Sequence, residues 1–246
     1  MNVITPNWPA PTWVKAFTTT REAGLSRKPF DKGNVAHHVG DDIVTVTLNR
    51  LALQQRYNLN PKLTWLNQTH SDKVFELTKP QSHYLDGDGV WTRNNNLSCI
   101  VMTADCLPLL LCDTAGSLVA AVHCGWQGMA KGIIQHTIDQ IRPFASGQIL
   151  AWLGPAIGPG AYEVGKDVYD LFVEQDVIMH QAFIPHRKPG KWLADIYMIA
   201  RVKLYQLGIE QVYGGEHCTY SDAKRFYSYR REKNTGRMAT VITLNT

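Results

Sequence analysis

Residues 98–126 read SCIVMTADCLPLLLCDTAGSLVAAVHCGW, and the fold is decided there. Ser98–Met102, Leu107–Cys112 and Leu118–His123 are short runs rich in Val, Leu and Ile. Polar or turn-forming breaks separate them, Thr103–Cys106 after the first run and Asp113–Gly116 after the second. Runs of this length bounded by turn residues read as β-strands. The apolar stretch Ile100–Cys112 is interrupted by Thr103, Asp105 and Pro108, so it is too short and too polar to span a bilayer.

Working outward, further strands fall at Leu63–Leu66, Val74–Leu77, Ile149–Leu153 and Ala239–Leu244, with Asp86-Gly87-Asp88-Gly89 as a turn signal. Helical spacing occurs elsewhere. Val44, Leu48, Leu51 and Gln55 share a face behind the acidic pair Asp41-Asp42, which suits a helix N-terminus. Ile133, Ile134, Thr137, Ile138 and Ile141 make a second stripe after Gly132. Ile196, Ile199, Ala200, Lys203, Leu204 and Leu207 make a third, with Asp195 near its start and Gly208 as its stop. Strands in blocks with helices between and around them predict a mixed α+β layered domain rather than a regular βαβ alternation. Neither a linker nor an internal repeat divides residues 1–246, which read as a single domain.

Hydrophobic residues are 44% of the 246 and charged residues 19%, a balance that supplies a sizeable core and excludes a disordered chain. The net charge of +4 is spread along the chain, which permits an anionic ligand but offers no basic arm for nucleic acid. Met1–Pro11 lacks a basic start followed by an apolar core, so no secretory signal is read and a soluble, cytoplasmic protein is expected. The five cysteines, Cys99, Cys106, Cys112, Cys124 and Cys218, are an odd number without a CxxC pair. They read as free thiols or metal ligands rather than a disulfide scaffold.

Three residues of the types that carry chemistry stand where a strand leaves the core. His70 follows Leu63–Leu66, Cys106 lies in the break Thr103–Cys106, and His123 ends Leu118–His123 and runs into Cys124-Gly125-Trp126. Loops fixed to a rigid sheet are where reactive groups are presented. The separations of 36 and 17 residues are too long for a local finger, so the three must converge through the fold. Two imidazoles and one thiolate make a zinc site with an open fourth position, the pattern of a catalytic rather than a structural centre. The same residues admit two other assignments. Cys106, with Asp105 beside it and His123 near, is a thiol nucleophile with a base partner, and the two His and Cys106 with Met102 as a distant ligand describe a mononuclear copper site. A trinuclear copper cluster needs His-x-His pairs, which the chain lacks.

The segment Gly154-Pro155-Ala156-Ile157-Gly158-Pro159-Gly160 has neither the spacing nor the ending of a nucleotide-phosphate loop and reads as a turn or a substrate-lining loop. In Tyr227-Ser228-Tyr229-Arg230-Arg231 two guanidinium groups are placed to grip phosphate or carboxylate, or to sit on solvated surface. Asn34 and Arg21 lie in a Gly-containing N-terminal stretch and join Arg230 as candidate substrate-binding residues.

Taken in order, Asn67-Gln68-Thr69-His70, Asp86-Gly87-Asp88-Gly89, Thr103-Ala104-Asp105-Cys106-Leu107-Pro108, His123-Cys124-Gly125-Trp126, Gly154-Pro155-Ala156-Ile157-Gly158, Ser228-Tyr229-Arg230-Arg231 and Thr235-Gly236-Arg237 resemble the YfiH-like, laccase-domain family of bacterial proteins, from about Thr18 to the C-terminus. The resemblance implies a YfiH-like fold, one α+β domain of layered mixed β-sheets flanked by helices. It also implies a zinc enzyme that cleaves adenosine, inosine, guanosine and methylthioadenosine with phosphate, and deaminates adenosine. His70, Cys106 and His123 fall on the family's metal-ligand positions. Other names in the family imply a copper polyphenol oxidase or an editing hydrolase for cell-wall precursors that would use Cys106. Asp105 is then a candidate proton carrier or a residue orienting the ligands, and Gln68 a candidate contact to the base or ribose. Two positions depart from the family pattern, Gln127 where an Arg is usual and Ser71 where a Gly is usual. The lost charge at 127 would have to come from Arg230 or Arg21. Oligomeric state is not fixed by the sequence.

Overall fold

The computed structural model describes residues 2–59 and 63–245. In chain order its strands are β1 (Val3–Ile4), β2 (Val14–Thr19), β3 (Leu66–Asn67), β4 (Val74–Glu76), β5 (Leu85–Asp86), β6 (Gly89–Thr92), β7 (Ser98–Thr103), β8 (Leu107–Asp113), β9 (Val119–Cys124) and β10 (Ile149–Leu153). They continue with β11 (Glu163–Gly165), β12 (Phe183–Pro185), β13 (Lys191–Ala194), β14 (Gln211–Gly214) and β15 (Met238–Leu244). The α-helices are α1 (Ile43–Arg56), α2 (Trp126–Ala130), α3 (Ile133–Ile141), α4 (Lys166–Gln175), α5 (Ile196–Gln206) and α6 (Tyr229–Glu232).

Two large sheets form the body. One has six strands in the order β14-β10-β8-β9-β6-β4, with parallel pairs at both ends and antiparallel pairs between. The other has four antiparallel strands in the order β1-β2-β15-β7. The expected mixed α+β architecture is therefore the observed one. Side chains alternate across a strand, and β8 shows what each face meets. Leu107, Leu109 and Leu111 pack with Ile134, Ile138, Ile199 and Leu204 of the helices, whereas Leu110 and Cys112 pack with Val101 and Ile242 of the other sheet. With both faces covered, the strand reads as a continuous apolar run. The outer face of the four-stranded sheet carries Phe17, Ile100, Met102 and Val241 against Val35 and Leu53 of the N-terminal half.

The helices at 133 and 196 follow their predicted stripes. Ile133, Ile134, Thr137, Ile138 and Ile141 are all buried. Asp195 caps α5 by accepting from the backbone of Tyr197 and Met198, and Gly208 beyond its end has φ +74. Helix α1 begins where expected, capped by Asp42, but it is turned the other way. Val46, Asn49, Arg50 and Leu53 face inward, while Val44, Leu48, Leu51 and Gln55 face solvent. The inward polar groups are satisfied: Asn49 donates to Ser26 Oγ and to the carbonyls of Lys32 and Asn34, and Arg50 donates to Val35 O and lies over the Trp65 ring. Fixed backbone acceptors overrode the apolar periodicity. Of the strand expected at Leu63–Leu66 only Leu66 lies in a strand, the two-residue β3, and Asp86–Gly89 is the crossing from β5 to β6 rather than an isolated turn.

Candidate metal centre and its cavity

Cys106 follows β7 and directly precedes β8, whose first residue pairs with Cys124 at the end of β9, beside His123. His70 arrives from the loop after β3. Three strand ends thus bring one ligand atom from each of His70, Cys106 and His123 within 4.8 Å of one another. Cys106 Sγ lies 3.8 Å from His70 Nε2, and the two imidazole rings stand 4.9 Å apart, edge to face. Two neighbours hold backbone conformations that side chains rarely adopt, His70 at φ 56 and Asp105 at φ 92. Lys131 fixes the first by donating to His70 O at 3.0 Å.

Asp88, which lies within the turn signal Asp86–Gly89, is the organiser of the site. Its fully buried carboxylate lies 2.7 Å from His123 Nδ1, leaving Nε2 to face the other ligands. The same carboxylate accepts from the backbone N–H groups of Thr69, His70 and Ser71 and from Ser71 Oγ at 2.6 Å. Ser71, the departure from the family pattern, is thereby used. Burial alone would raise the Asp88 carboxyl, but the His123 and Ser71 hydrogen bonds hold it at about 2. Burial likewise opposes charge on Cys106 and His123. Their mutual attraction prevails, with the thiol lowered to about 6 and the imidazole raised to about 9. A thiolate and two orientable imidazoles are the donor set of zinc or copper, and the ligand separations suit one ion. Gly125 keeps the place open: a Cβ there would come 2.6 Å from His70 Cδ2 and 3.3 Å from Cys106 Sγ.

The triad opens on a cavity of about 460 Å³. Trp126, Ile157, Tyr162 and Met102 give it apolar and aromatic wall, and Arg230, Lys233, Arg237 and His38 bring cationic or titratable groups. The Arg230 guanidinium stands 5.4 Å above the Tyr162 ring, and its Nη1 donates to Glu163 O at 2.8 Å. Arg237 Nη1 donates to the carbonyls of Thr235 and Gly236, and burial pushes the guanidinium below its usual value. Of the residues singled out from sequence, Gln68, Asp105 and Arg230 line this cavity. Gln68 is engaged on both sides of its carboxamide by the Met102 backbone.

Asn34 and Arg21 do not reach it. Asn34 is buried, donating to Asp41 and Ala36 O and accepting from the N–H groups of Ala36 and Arg237. Arg21 pairs with Glu232 at 2.7 Å and lines a separate surface hollow. Nor do Arg230 and Arg231 act together, since Arg231 turns inward to the carbonyls of Thr219, Tyr220 and Phe226. Gln127 is exposed on α2 and is not among the lining residues. The Gly154–Gly160 loop lines the cavity through Ile157. Cys99, Cys112 and Cys124 are core residues whose thiols burial pushes up, Cys112 to about 12.

Comparisons with known proteins agree on one family. The family model for multi-copper polyphenol oxidoreductase laccases matches residues 15–245. A Pseudomonas aeruginosa protein named purine nucleoside phosphorylase is 45% identical over 98% of each chain. The Escherichia coli K12 protein named purine nucleoside phosphorylase YfiH is 44% identical, again over 98% of each chain. The crystal structure of a Neisseria meningitidis protein of family DUF152 superposes with a TM-score of 0.94 at 42% identity, over the full length of both chains. Among the described residues no helix is long and apolar enough to cross a membrane.

Proposed function

The chain belongs to the laccase-domain YfiH family, and from that premise we propose that it is a zinc-dependent purine nucleoside phosphorylase of the cytoplasm. Its substrates in this reading are phosphate and adenosine, inosine, guanosine or methylthioadenosine, with adenosine deamination as a second activity of the same site. One observation supports it above others: a single cavity holds the His70, Cys106 and His123 triad, three basic side chains and an aromatic wall.

Phosphorolysis needs those parts. A phosphate oxygen forms the bond to the anomeric carbon while the bond from that carbon to the purine nitrogen breaks. The electron pair leaves with the base, which takes up a proton. Positive charge grows on the ribose and negative charge on the base, so fixed charges aimed at both are the main source of acceleration. Arg230, Lys233 and Arg237 are the groups that would hold the phosphate, replacing the charge absent at Gln127. Trp126, Ile157 and Tyr162 would pack on the base and exclude water. A zinc ion held by His70, Cys106 and His123 would supply Lewis-acid chemistry there; copper is the other ion that the donor set accepts. Asp88 keeps His123 in the orientation a ligand requires.

The test is the product of purified protein with adenosine, with and without phosphate. Adenine and ribose 1-phosphate appearing only with phosphate, and inosine appearing in both samples, are the expected results. No nucleoside turnover in either sample would sink the reading.

A second reading rests on Cys106, His123 and Asp88, which follow one another as thiol, imidazole and carboxylate. That is the order of parts in a cysteine hydrolase, and a cell-wall precursor would be its substrate. Alkylation of Cys106 that abolishes amide hydrolysis in chelator-treated protein would favour it. A multi-copper oxidase is less well served, because the described residues form one three-ligand cluster.

A further inference from the structure

Asp105 stands beside a metal ligand and lines the cavity, the position of an acid or base, yet its carboxylate is already engaged. Oδ1 accepts from Thr219 Oγ1 at 2.6 Å. Oδ2 accepts from Arg230 N at 2.6 Å and from Ser228 Oγ at 3.0 Å. The side chain is buried. All three donors belong to the C-terminal part of the chain, whose segment 228–237 brings Arg230, Lys233 and Arg237 to the cavity. Ser228 is also the cap of α6, accepting from Arg231 N. The loop bearing the Cys106 thiol and the segment bearing the cations therefore meet at one carboxylate.

We propose that Asp105 is a positioning residue for the anion seat: it fixes Arg230 and its neighbours where they bind phosphate, and it moves no proton in the reaction. The inference rests on the phosphorolysis reading for the identity of the anion. Arg230 N is a fixed donor, so its partner must present an oxygen. The hydroxyls of Thr219 and Ser228 can rotate to donate or accept. An asparagine at 105 keeps an oxygen for Arg230 N and Ser228 Oγ and turns its amide toward Thr219 Oγ1. Asparagine also tolerates the positive φ of 92. Alanine keeps none of the three contacts.

Asp105→Asn and Asp105→Ala would be compared with wild type in three measurements on the zinc-loaded protein. These are bound zinc by mass spectrometry, inorganic phosphate binding by titration calorimetry, and kcat and KM for phosphate with adenosine. Asp105→Asn is expected to keep its zinc and to hold kcat and phosphate KM within about threefold, because the geometry survives loss of the charge. Asp105→Ala is expected to raise phosphate Kd and KM by about tenfold or more, the loss of the oxygen that holds Arg230 N and Ser228 Oγ read as affinity. Ser228→Ala, which removes one of the three donors and the cap, should raise both in the same direction by less. It keeps the question answerable if Asp105→Ala does not fold.

A loss of kcat of about a hundredfold in Asp105→Asn at unchanged phosphate KM is the signature of a general acid or base and would overturn the inference. Unchanged phosphate Kd in both Asp105→Ala and Ser228→Ala would overturn it as well. Wild type that binds phosphate but cleaves no nucleoside would remove the reading of the reaction alone. Weakened phosphate binding in Asp105→Ala would then still uphold the role given to Asp105.

Discussion

Gly125 is a residue defined by what it leaves out. Its φ of −69 and ψ of 156 are open to any amino acid, so the backbone does not require glycine there. The requirement comes from the ligands, since a Cβ would press on the ring of His70 and reach the sulfur of Cys106. Gly125→Ala should therefore cost metal affinity rather than stability. We expect about a 10- to 100-fold weaker hold on zinc, the range seen when a residue that supports a metal ligand is changed, with little change in the urea midpoint. Chelator competition measures the first, and wild-type zinc retention in the variant would refute the placement. The three candidate ligands could be singled out in the sequence because each stands where an apolar run meets a loop. Asp88 could not, because its two glycine neighbours read as a turn and its partner His123 lies 35 positions away. The cations Lys233 and Arg237 were hidden for the same reason. Arg237 sat in a quoted motif, but nothing local says that its guanidinium reaches a cavity.

At the scale of elements, α1 separates periodicity from burial. Its start is legible through Asp41-Asp42, but the apolar stripe lies on the solvent side. Val44 is 62% exposed and Leu51 45% exposed, whereas Leu53 is fully buried among Val35, Phe17 and Val241. What turned the helix is a set of backbone carbonyls in the loop 32–35 that accept from Asn49 and Arg50. No local pattern encodes those. The consequence is a sharp contrast in urea denaturation. Leu53→Ala should cost about 2–5 kcal/mol, as large-to-small changes in packed cores do, while Val44→Lys or Leu51→Glu should stay within about 0.5 kcal/mol. A large loss in the latter two would mean that this face is covered in the folded protein. Helices α3 and α5 gave no such surprise, because the polar groups they bury, Thr137 and the Tyr197 hydroxyl, are buried together with the apolar stripe and are hydrogen-bonded there.

On the scale of the molecule, the central strands and the last one could be found in the sequence, but others of the two large sheets, β2 and β14 among them, could not, nor could any strand's partners. The segment 98–113 reads as two successive strands, yet β7 joins β15 and β2 in one sheet while β8 joins β9 and β10 in the other. The break Thr103–Cys106 is thus the point where the chain passes between layers, and Cys106 is presented there. The same topology predicts how the protein would respond to removal of a zinc ion held by the triad. Of the three only His123 is a ladder residue, opposite Pro108 near the end of β9, and the core clusters run through both sheets and the helices without His70 or Cys106. Zinc fingers unfold without metal because they have no comparable core. Here a chelator should leave cooperative unfolding and the far-ultraviolet spectrum intact. It should lower stability only by the linkage term, about 2.7 kcal/mol where free zinc had stood at a hundred times its Kd. Thermal melts with and without chelator, at several zinc concentrations, measure this directly. A melting temperature that does not move with zinc would mean that the triad binds no zinc. Loss of the cooperative transition on chelation would mean that the strand ends are held together by the metal rather than by the sheets, and the ligands would then be structural.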